Sequence, residues 1–427
     1  MTADNTAVDE RRFAIGTGAS VVVDRCQVCG HRELEPVLFI GYMPPVNEMH
    51  AVGTTPSEQQ SYPAQWLYCG RCELVQLGLS LDPEILFPPG YPYTSGTTRI
   101  LRDNFAQLYR ESAPLVGLGQ NDLVIDIGSN DGTLLANFHA PGHRVLGIEP
   151  TDVGKIAQSR GIATVQAYFR PEVARRVRDE HGLAKIVTAT NCFAHIEDVH
   201  PIVEGILDLL APDGVFISES HYLISLLETL QYDTIYHEHL RYYSVHSLKY
   251  LLEMHGLEVI HCVPIPTHGG SIRVYAARKG ARPVRSSVQE TLAREPTGEA
   301  MLERLRQFRA NVIQSKLRLS ALLNTCRDEG ARICAISAPS RASTLINYVG
   351  LDDGIIEYVA EIKGSLKIGR YMPGTLIPVV EEGRIFEDQP EYALMLSWHI
   401  ADELIPKLRE NGYRGKFIVP LPVPRVA

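Results

Sequence analysis

The chain has 427 residues, 45% of them hydrophobic and 21% charged, with a formal net charge of -9. That is an ordinary globular profile, long enough for two or three domains. The acidic balance argues against a nucleic acid partner held by bulk charge, and no apolar run reaches the ~18 residues of a membrane span.

The start, MTADNTAVDERRF, is polar and has no basic segment leading into an apolar core, so the expected location is cytoplasmic. Residues from about 24 to 80 hold two C-x2-C pairs, Cys26 with Cys29 and Cys69 with Cys72. Four thiolates spaced in this way suit one tetrahedral ion, and a closed set of four leaves no open position for catalysis. The reading is a structural Zn2+ site, with Gly30 and Gly70 relieving the backbone just after ligands. Cys192, Cys262, Cys326 and Cys334 stand alone in apolar contexts and read as core residues.

A Pro- and Tyr-rich connector, PPGYPYTSGTTR, follows at 88–99. From about 100 to 280, strand-like runs (LVIDIG, RVLGIEP, KIVTAT, GVFISES) alternate with helical patterns, which predicts a parallel sheet covered by helices. The segment 123–135, LVIDIGSNDGTLL, reads as a buried strand ending in Asp126, a loop framed by Gly128 and Gly132, and a helix start. Small residues there let the chain pass close to a ligand, Asp131 would cap the helix or touch the ligand, and Asn130 lies between the glycines. Glu149 closes the next strand and suits a pair of ribose hydroxyls. A G-x-G-x-x-G spacing is absent, which disfavours a nicotinamide oxidoreductase. The set D-x-G-S-N-D-G-T with the later acid resembles the class I methyltransferase pattern, which implies S-adenosyl-L-methionine as donor, with Asn191 after the fourth strand lining its pocket.

A charged amphipathic stretch, roughly 287–327, predicts one or two joining helices. Strand candidates then resume in ARICAISAP, IIEYVAE, LIPVV, YALMLSW and KFIVPLP. The expected architecture is α/β. It has a small zinc module (1–87), a central Rossmann-like methyltransferase domain (88–284), and linker helices with a second Rossmann-like domain (285–427).

The words YDTIYHEHLRYYS from Tyr232, PTHGGSIRVYAARKG and YMPGTLIPV, with the cysteine knuckles, resemble the sugar C-methyltransferases of bacterial deoxysugar pathways over residues 26 to 404. The resemblance implies a nucleotide-linked 4-keto-6-deoxyhexose as substrate, dTDP-linked by preference. It also implies methylation beside the ketone, at C3 by preference or at C5, in making a natural product such as an antibiotic or a surface glycan. Carbon methylation needs an enolate, hence a base and a stabilised oxygen. Tyr236, Glu238 and His239 supply a phenol, a carboxylate to orient an imidazole, and the base that the resemblance favours. His195 is a second candidate at the enolate oxygen. H-E-H lacks the H-E-x-x-H spacing of a catalytic metal site.

By the same resemblance Tyr91 and Tyr93 lie near the substrate, with His268 and Arg273 from the T-H-G-G-S-x-R-V segment. In the last domain, Ser337-Ala338-Pro339-Ser340-Arg341-Ala342-Ser343 replaces the glycine- and lysine-containing turn of relatives. Arg341 falls at the lysine position and offers a fork to a diphosphate. Lys367, Arg370 and Tyr371 complete the nucleotide-sugar candidates. An O- or N-methyltransferase would keep the donor loop without the enolate residues. A non-catalytic zinc-containing assembly protein is the alternative from another class. The oligomeric state is open and compatible with a monomer.

Overall fold

A computed structural model describes residues 20–56, 58–87, 96 and 98–427. Tyr91 and Tyr93 lie outside the described residues. Among them, no helix is long and apolar enough to cross a membrane.

The central sheet has seven strands, in the order Leu257–Ile265, Ser271–Arg278, Leu210–His221, Ala184–Thr190, Leu123–Ile127, Arg144–Ile148 and Thr164–Val165. Only Ser271–Arg278 runs antiparallel to its neighbours. Leu123–Ile127 is buried on both faces, as its unbroken apolar run requires. Chain order reverses at the boundary between Leu123–Ile127 and Ala184–Thr190, so their carboxyl ends open a crevice where ligands bind in open α/β sheets.

The C-terminal sheet repeats this scheme with strands Val379–Glu381, Val359–Glu361, Ile333–Ile336, Tyr392–Met395, Lys416–Val419 and Arg425–Val426. All neighbours are parallel except the last pair. Two helices, Ser286–Leu292 and Glu299–Asp328, join the two sheets. The second buries Met301, Leu305, Phe308, Val312, Ser315, Leu319, Leu323 and Cys326, spaced by threes and fours. That stripe explains why a helix so rich in arginine lies flat on the core.

The N-terminal module carries a four-stranded antiparallel sheet: Glu35–Met43, Tyr62–Cys69, Leu74–Leu77 and, at its edge, Arg241–Tyr242. The fourth strand comes from the centre of the chain, directly after Tyr236-His237-Glu238-His239. Arg241 pairs with Gln76 and Tyr242 with Val75, and the Leu77 amide donates to the Leu240 carbonyl at 3.0 Å. Trp66, fully buried, packs on Tyr242 at 4.6 Å between ring centroids and stacks on Phe308 at 5.5 Å. One indole thereby joins the module to the long helix and to the segment that follows the histidines.

Arg273 is fully buried in the Ser271–Arg278 strand. Its Nε donates to Glu219 at 2.6 Å, its Nη1 to Glu111 at 2.7 Å and its Nη2 to the Asn104 side chain at 2.9 Å. This corrects the expectation that Arg273 approaches substrate: its donors neutralise a carboxylate inside the sheet. Arg273→Met is expected to lose about 3–5 kcal/mol of unfolding free energy by denaturant titration, because it leaves Glu219 buried and unpaired. The paired Glu219→Gln/Arg273→Met variant should recover much of that loss.

Candidate functional site

The four thiols of Cys26, Cys29, Cys69 and Cys72 lie within 4.8 Å of one another, with Cys26–Cys72 at 3.4 Å and Cys29–Cys69 at 3.5 Å. A zinc ion with ~2.3 Å bonds to sulfur needs sulfurs about 3.8 Å apart, so the cluster fits it. The Val28 amide points at the Cys26 sulfur at 3.4 Å, as in a metal knuckle. The Gln76 side chain accepts from the Gln27 amide at 2.8 Å and donates to the Arg25 carbonyl at 3.0 Å, clamping the first knuckle. Gly30 takes φ +70°, but in the second knuckle the left-handed residue is Glu73, at φ +60°, rather than Gly70.

A cavity of about 1180 Å³ opens at the carboxyl ends of the central strands and runs to the C-terminal domain. Asp126, Gly128, Asn130, Glu149 and Asn191 line one end. Asp126 is buried and accepts from the Thr188 hydroxyl at 2.6 Å; burial pushes its carboxyl up to about 7. Glu149 accepts from the Asn130 amide at 3.0 Å and from the Thr151 amide at 2.9 Å, which ties the glycine loop to the next strand. Gly128 has φ +71°, and a β-carbon there would stand 3.0 Å from Cys192. The Asn191 side-chain oxygen is buried without a hydrogen-bond partner, an acceptor suited to a ligand donor. Loop, acids and orphaned acceptor fit S-adenosylmethionine, with its cationic methionine end and its ribose diol. Asp131 does not line this cavity. Its carboxylate takes the Gly96 amide at 3.1 Å, the Thr133 hydroxyl at 2.7 Å and Arg160 at 3.2 Å, so it shapes the loop instead.

Histidines gather at the other end. The His239 ring lies 4.1 Å from Tyr236, 4.9 Å from His195 and 4.9 Å from His221, and His221 lies 5.5 Å from His268. All five side chains line the cavity. The Nδ1 of His239 meets the Thr234 carbonyl at 2.8 Å, and that of His195 meets the Glu238 carbonyl at 2.5 Å. A carbonyl only accepts, so both Nδ1 atoms carry the proton and both Nε2 atoms present a bare lone pair. Burial, reinforced by His195, holds His239 well below the usual imidazole range; burial takes His195 down to about 4, and burial with the Arg341 charge takes His268 to about 4. Burial likewise pushes the Tyr236 phenol well above its ordinary value.

Glu238, expected to orient an imidazole, accepts instead from Asn47 of the zinc module at 2.7 Å; backbone carbonyls do the orienting. His268 adopts φ +57°, and its Nε2 is buried without a partner. Arg341 lines the cavity, but its Nε and Nη2 both bind Asp233 at 2.8 Å, so the fork expected for a diphosphate is committed within the protein. Lys367 also lines it and donates to the Ala338 carbonyl at 2.7 Å. Arg370 and Tyr371 do not: Arg370 donates to the Met49 carbonyl at 3.0 Å and the Tyr371 hydroxyl accepts from the Gly53 amide at 3.1 Å. They fasten the C-terminal domain to the zinc module.

The motifs missed His221, Asn47 and His399, which line the same cavity. His221 ends a central strand, and strand ends are where ligands bind, so its position was a usable signal. Asn47 sits in no motif and becomes visible only when the module folds against the central domain.

Comparison with known proteins agrees with this geometry. Residues 26–87 match a zinc binding domain family, 98–262 a methyltransferase domain family and 266–422 the C-methyltransferase C-terminal domain family. The chain is 35% identical to the C-methyltransferase NovU of Streptomyces niveus over 410 residues, covering 95% of this chain and 97% of that one. Solved structures similar to it include an S-adenosylmethionine-dependent methyltransferase from Clostridium acetobutylicum (12% identity, TM-score 0.33, 43% of this chain and 94% of that one). Another is from Anabaena variabilis (17% identity, TM-score 0.33, 43% and 86%). A glycine loop and acid at the switch point of this sheet, with these family matches, define an S-adenosylmethionine-dependent methyltransferase with a structural zinc site. The chain belongs to the C-methyltransferase family.

Because the histidine segment continues into an edge strand of the zinc module, zinc should matter to turnover while touching no substrate. Cys69→Ser is expected to lose metal, as measured by elemental analysis, and to lose methyl transfer. Calorimetric affinity for S-adenosylmethionine should stay within a few-fold, since the donor loop stands on a different sheet. Metal-free protein with full turnover would contradict this.

Proposed function

We propose that the protein methylates the carbon next to the ketone of a nucleotide-linked 4-keto-6-deoxy sugar, C3 by preference, in deoxysugar biosynthesis in the cytoplasm. The observation that carries this reading is the shared cavity. One chamber joins a donor crevice to buried imidazoles whose Nε2 atoms are bare. An oxygen or nitrogen acceptor also sheds a proton when methylated, but it already owns the lone pair that attacks; a carbon acceptor has none until a base removes its proton, which is the task these imidazoles suit.

Asp126, Asn130, Glu149 and Asn191 hold the donor, which when bound supplies an electrophilic methyl group. His239 removes the α-proton through Nε2. Tyr236 faces the oxygen on which enolate charge grows, and its phenol keeps its proton to donate, while His195, neutral with its Nδ1 proton on the Glu238 carbonyl, is the second candidate base. Glu238 and His268 shape the sugar pocket. Lys367, beside the amino end of the helix Ser340–Val349, offers positive charge to the diphosphate.

The decisive test incubates the enzyme in deuterated buffer with methyl-labelled donor and a panel of dTDP- and GDP-4-keto-6-deoxyhexoses. The wild type should place the label on carbon and exchange the α-proton. His239→Asn should lower both by roughly 10²–10⁴, with donor affinity preserved, because its amide offers no basic nitrogen. Label found on oxygen would end the carbon-methylation reading. An active His239→Asn beside a dead His195→Asn would move the base to His195.

A second expectation concerns pH. Burial disfavours the imidazolium, so His239 stays a free base below its usual range, and the acid limb of kcat/KM should lie well below pH 6.5. Stability follows the same sign. The unfolded chain protonates histidine near 6.5, whereas His195, His237 and His268 are held to about 4. Stability is therefore full above 6.5 and falls as pH drops toward 4, by up to about 1.4 kcal/mol per pH unit for each proton taken up. Denaturant melts between pH 7.5 and 4.5 measure the slope.

A further inference from the structure

Asp233 lies in the turn Tyr232–Thr234, fully buried, and does not itself line the cavity. Its Oδ1 accepts from Arg341 Nη2 at 2.8 Å. Its Oδ2 accepts from Arg341 Nε at 2.8 Å and from the Trp398 indole N–H at 2.7 Å. The guanidinium also sits over the Trp398 ring, 5.0 Å from its centroid. Its Nη2 donates further to Gln231 at 3.0 Å, and the Gln231 amide donates to the Gly269 carbonyl at 2.7 Å, beside His268.

We propose that the Asp233–Arg341 pair is a positioning device for the base, fixing the carbonyl of Thr234 and through it the tautomer and direction of the His239 imidazole. The proposal rests on the assignment of His239 as base. Thr234 is the residue after Asp233, and its carbonyl receives the His239 Nδ1–H at 2.8 Å and the Tyr242 hydroxyl at 3.3 Å. That peptide is anchored on both sides. Asp233 precedes it, and the carbonyl of Ile235 after it accepts from the Thr344 hydroxyl at 3.4 Å. Both anchors reach back to one helix of the C-terminal domain, Ser340–Val349. The carboxylate cannot turn without leaving a buried charge unpaired, so the turn is stiff where the base needs it. Docking of the C-terminal domain therefore sets the base, and Arg341 acts through Asp233 as a positioning residue.

The test uses Asp233→Asn/Arg341→Met in the full-length zinc protein. It removes both charges, so none is stranded, and it keeps an acceptor for Trp398. Imidazole ¹⁵N spectra of histidine-labelled protein report the tautomer, and the signals lost in His239→Asn assign the residue. The wild type should show His239 as a single Nδ1-protonated form, and the double variant a mixture. With dTDP-4-keto-6-deoxyglucose as probe, kcat should fall roughly 10- to 100-fold, the scale of a misplaced catalytic group, with KM and donor affinity little changed. Arg341→Lys, which keeps the charge but not the fork, should fall between. A double variant that keeps the single Nδ1-protonated form overturns the proposal. So does a rise in KM at unchanged kcat, which would place Arg341 on the diphosphate. His239→Asn that retains α-proton exchange overturns the base assignment instead, and the ¹⁵N result stands apart from it.

Discussion

The segment from Gln231 to Tyr243 lies within the central domain in sequence, between two strands of its sheet, yet both neighbouring domains hold it. On one side Arg241 and Tyr242 complete the sheet of the zinc module, and Asn47 from that module reaches Glu238. On the other side Arg341 and Trp398 close on Asp233. The central sheet supplies the donor crevice, but the histidine that faces it is placed by bodies on either side. A two-residue strand has little stability of its own, so the edge pairing persists only while the module beneath it is folded. That module is small and turn-rich, its buried residues gathered around Trp66, and a four-thiolate site is the kind of staple a fold of that size needs. A metal without an open coordination position would thus bear on chemistry through the module it holds together, by backbone pairing, the Trp66–Tyr242 contact and the Asn47–Glu238 hydrogen bond.

The second constraint is dryness. Several imidazoles are packed where none can easily be charged, and among the described residues no carboxylate is hydrogen-bonded to His239 or His195; their Nδ1 protons rest on peptide carbonyls. A carboxylate in that place would favour the imidazolium and hold a proton on the base before substrate arrived. A carbonyl fixes direction and tautomer without adding charge. The lowered proton affinity that burial imposes makes each imidazole a weak base on its own. In the proposed reaction an enolate oxygen facing the new imidazolium in this buried cavity would attract it and offset much of that weakness, so that the protonated ring would be stabilised only once its partner had formed.

The donor crevice was legible in the sequence because it is local. Asp126, Gly128, Asn130 and Glu149 fall within one strand–loop–helix–strand unit, where spacing alone fixes the geometry. The C-x2-C pairs were legible for the same reason. The errors fall where distant segments meet. Arg273 looked like a cation beside a glycine turn, but its partner Glu219 is more than fifty residues away and inside the sheet. Arg370 and Tyr371 belonged to a conspicuous motif whose place in the fold is a seam with residues 49–53 rather than the cavity. Asn47 and His221 carried no motif; His221 reaches the chamber from a central strand end, and only the packing of the zinc module brings Asn47 to it.

Arg341 shows how one change redistributes work in such a seam. A lysine at this place is a single flexible charge that can extend toward a phosphate. Arginine has a rigid fork, and here its Nε and Nη2 match the two oxygens of a buried carboxylate. Satisfying Asp233 leaves only Nη1 of the guanidinium outside that bidentate pair. The charge of the pair is balanced locally, so its attraction for a distant diphosphate is weak compared with that of a cation having no anionic partner in contact. Lys367 also lines the cavity, and its hydrogen bond goes to a neutral carbonyl, leaving its charge uncancelled by any direct ion pair among the described residues. The amino end of the helix beginning at Ser340 adds a partial positive charge of fixed direction. On the proposed reading, attraction for the nucleotide end of a substrate would therefore fall to Lys367 and the helix, while the arginine joins the C-terminal domain to the turn that precedes His239.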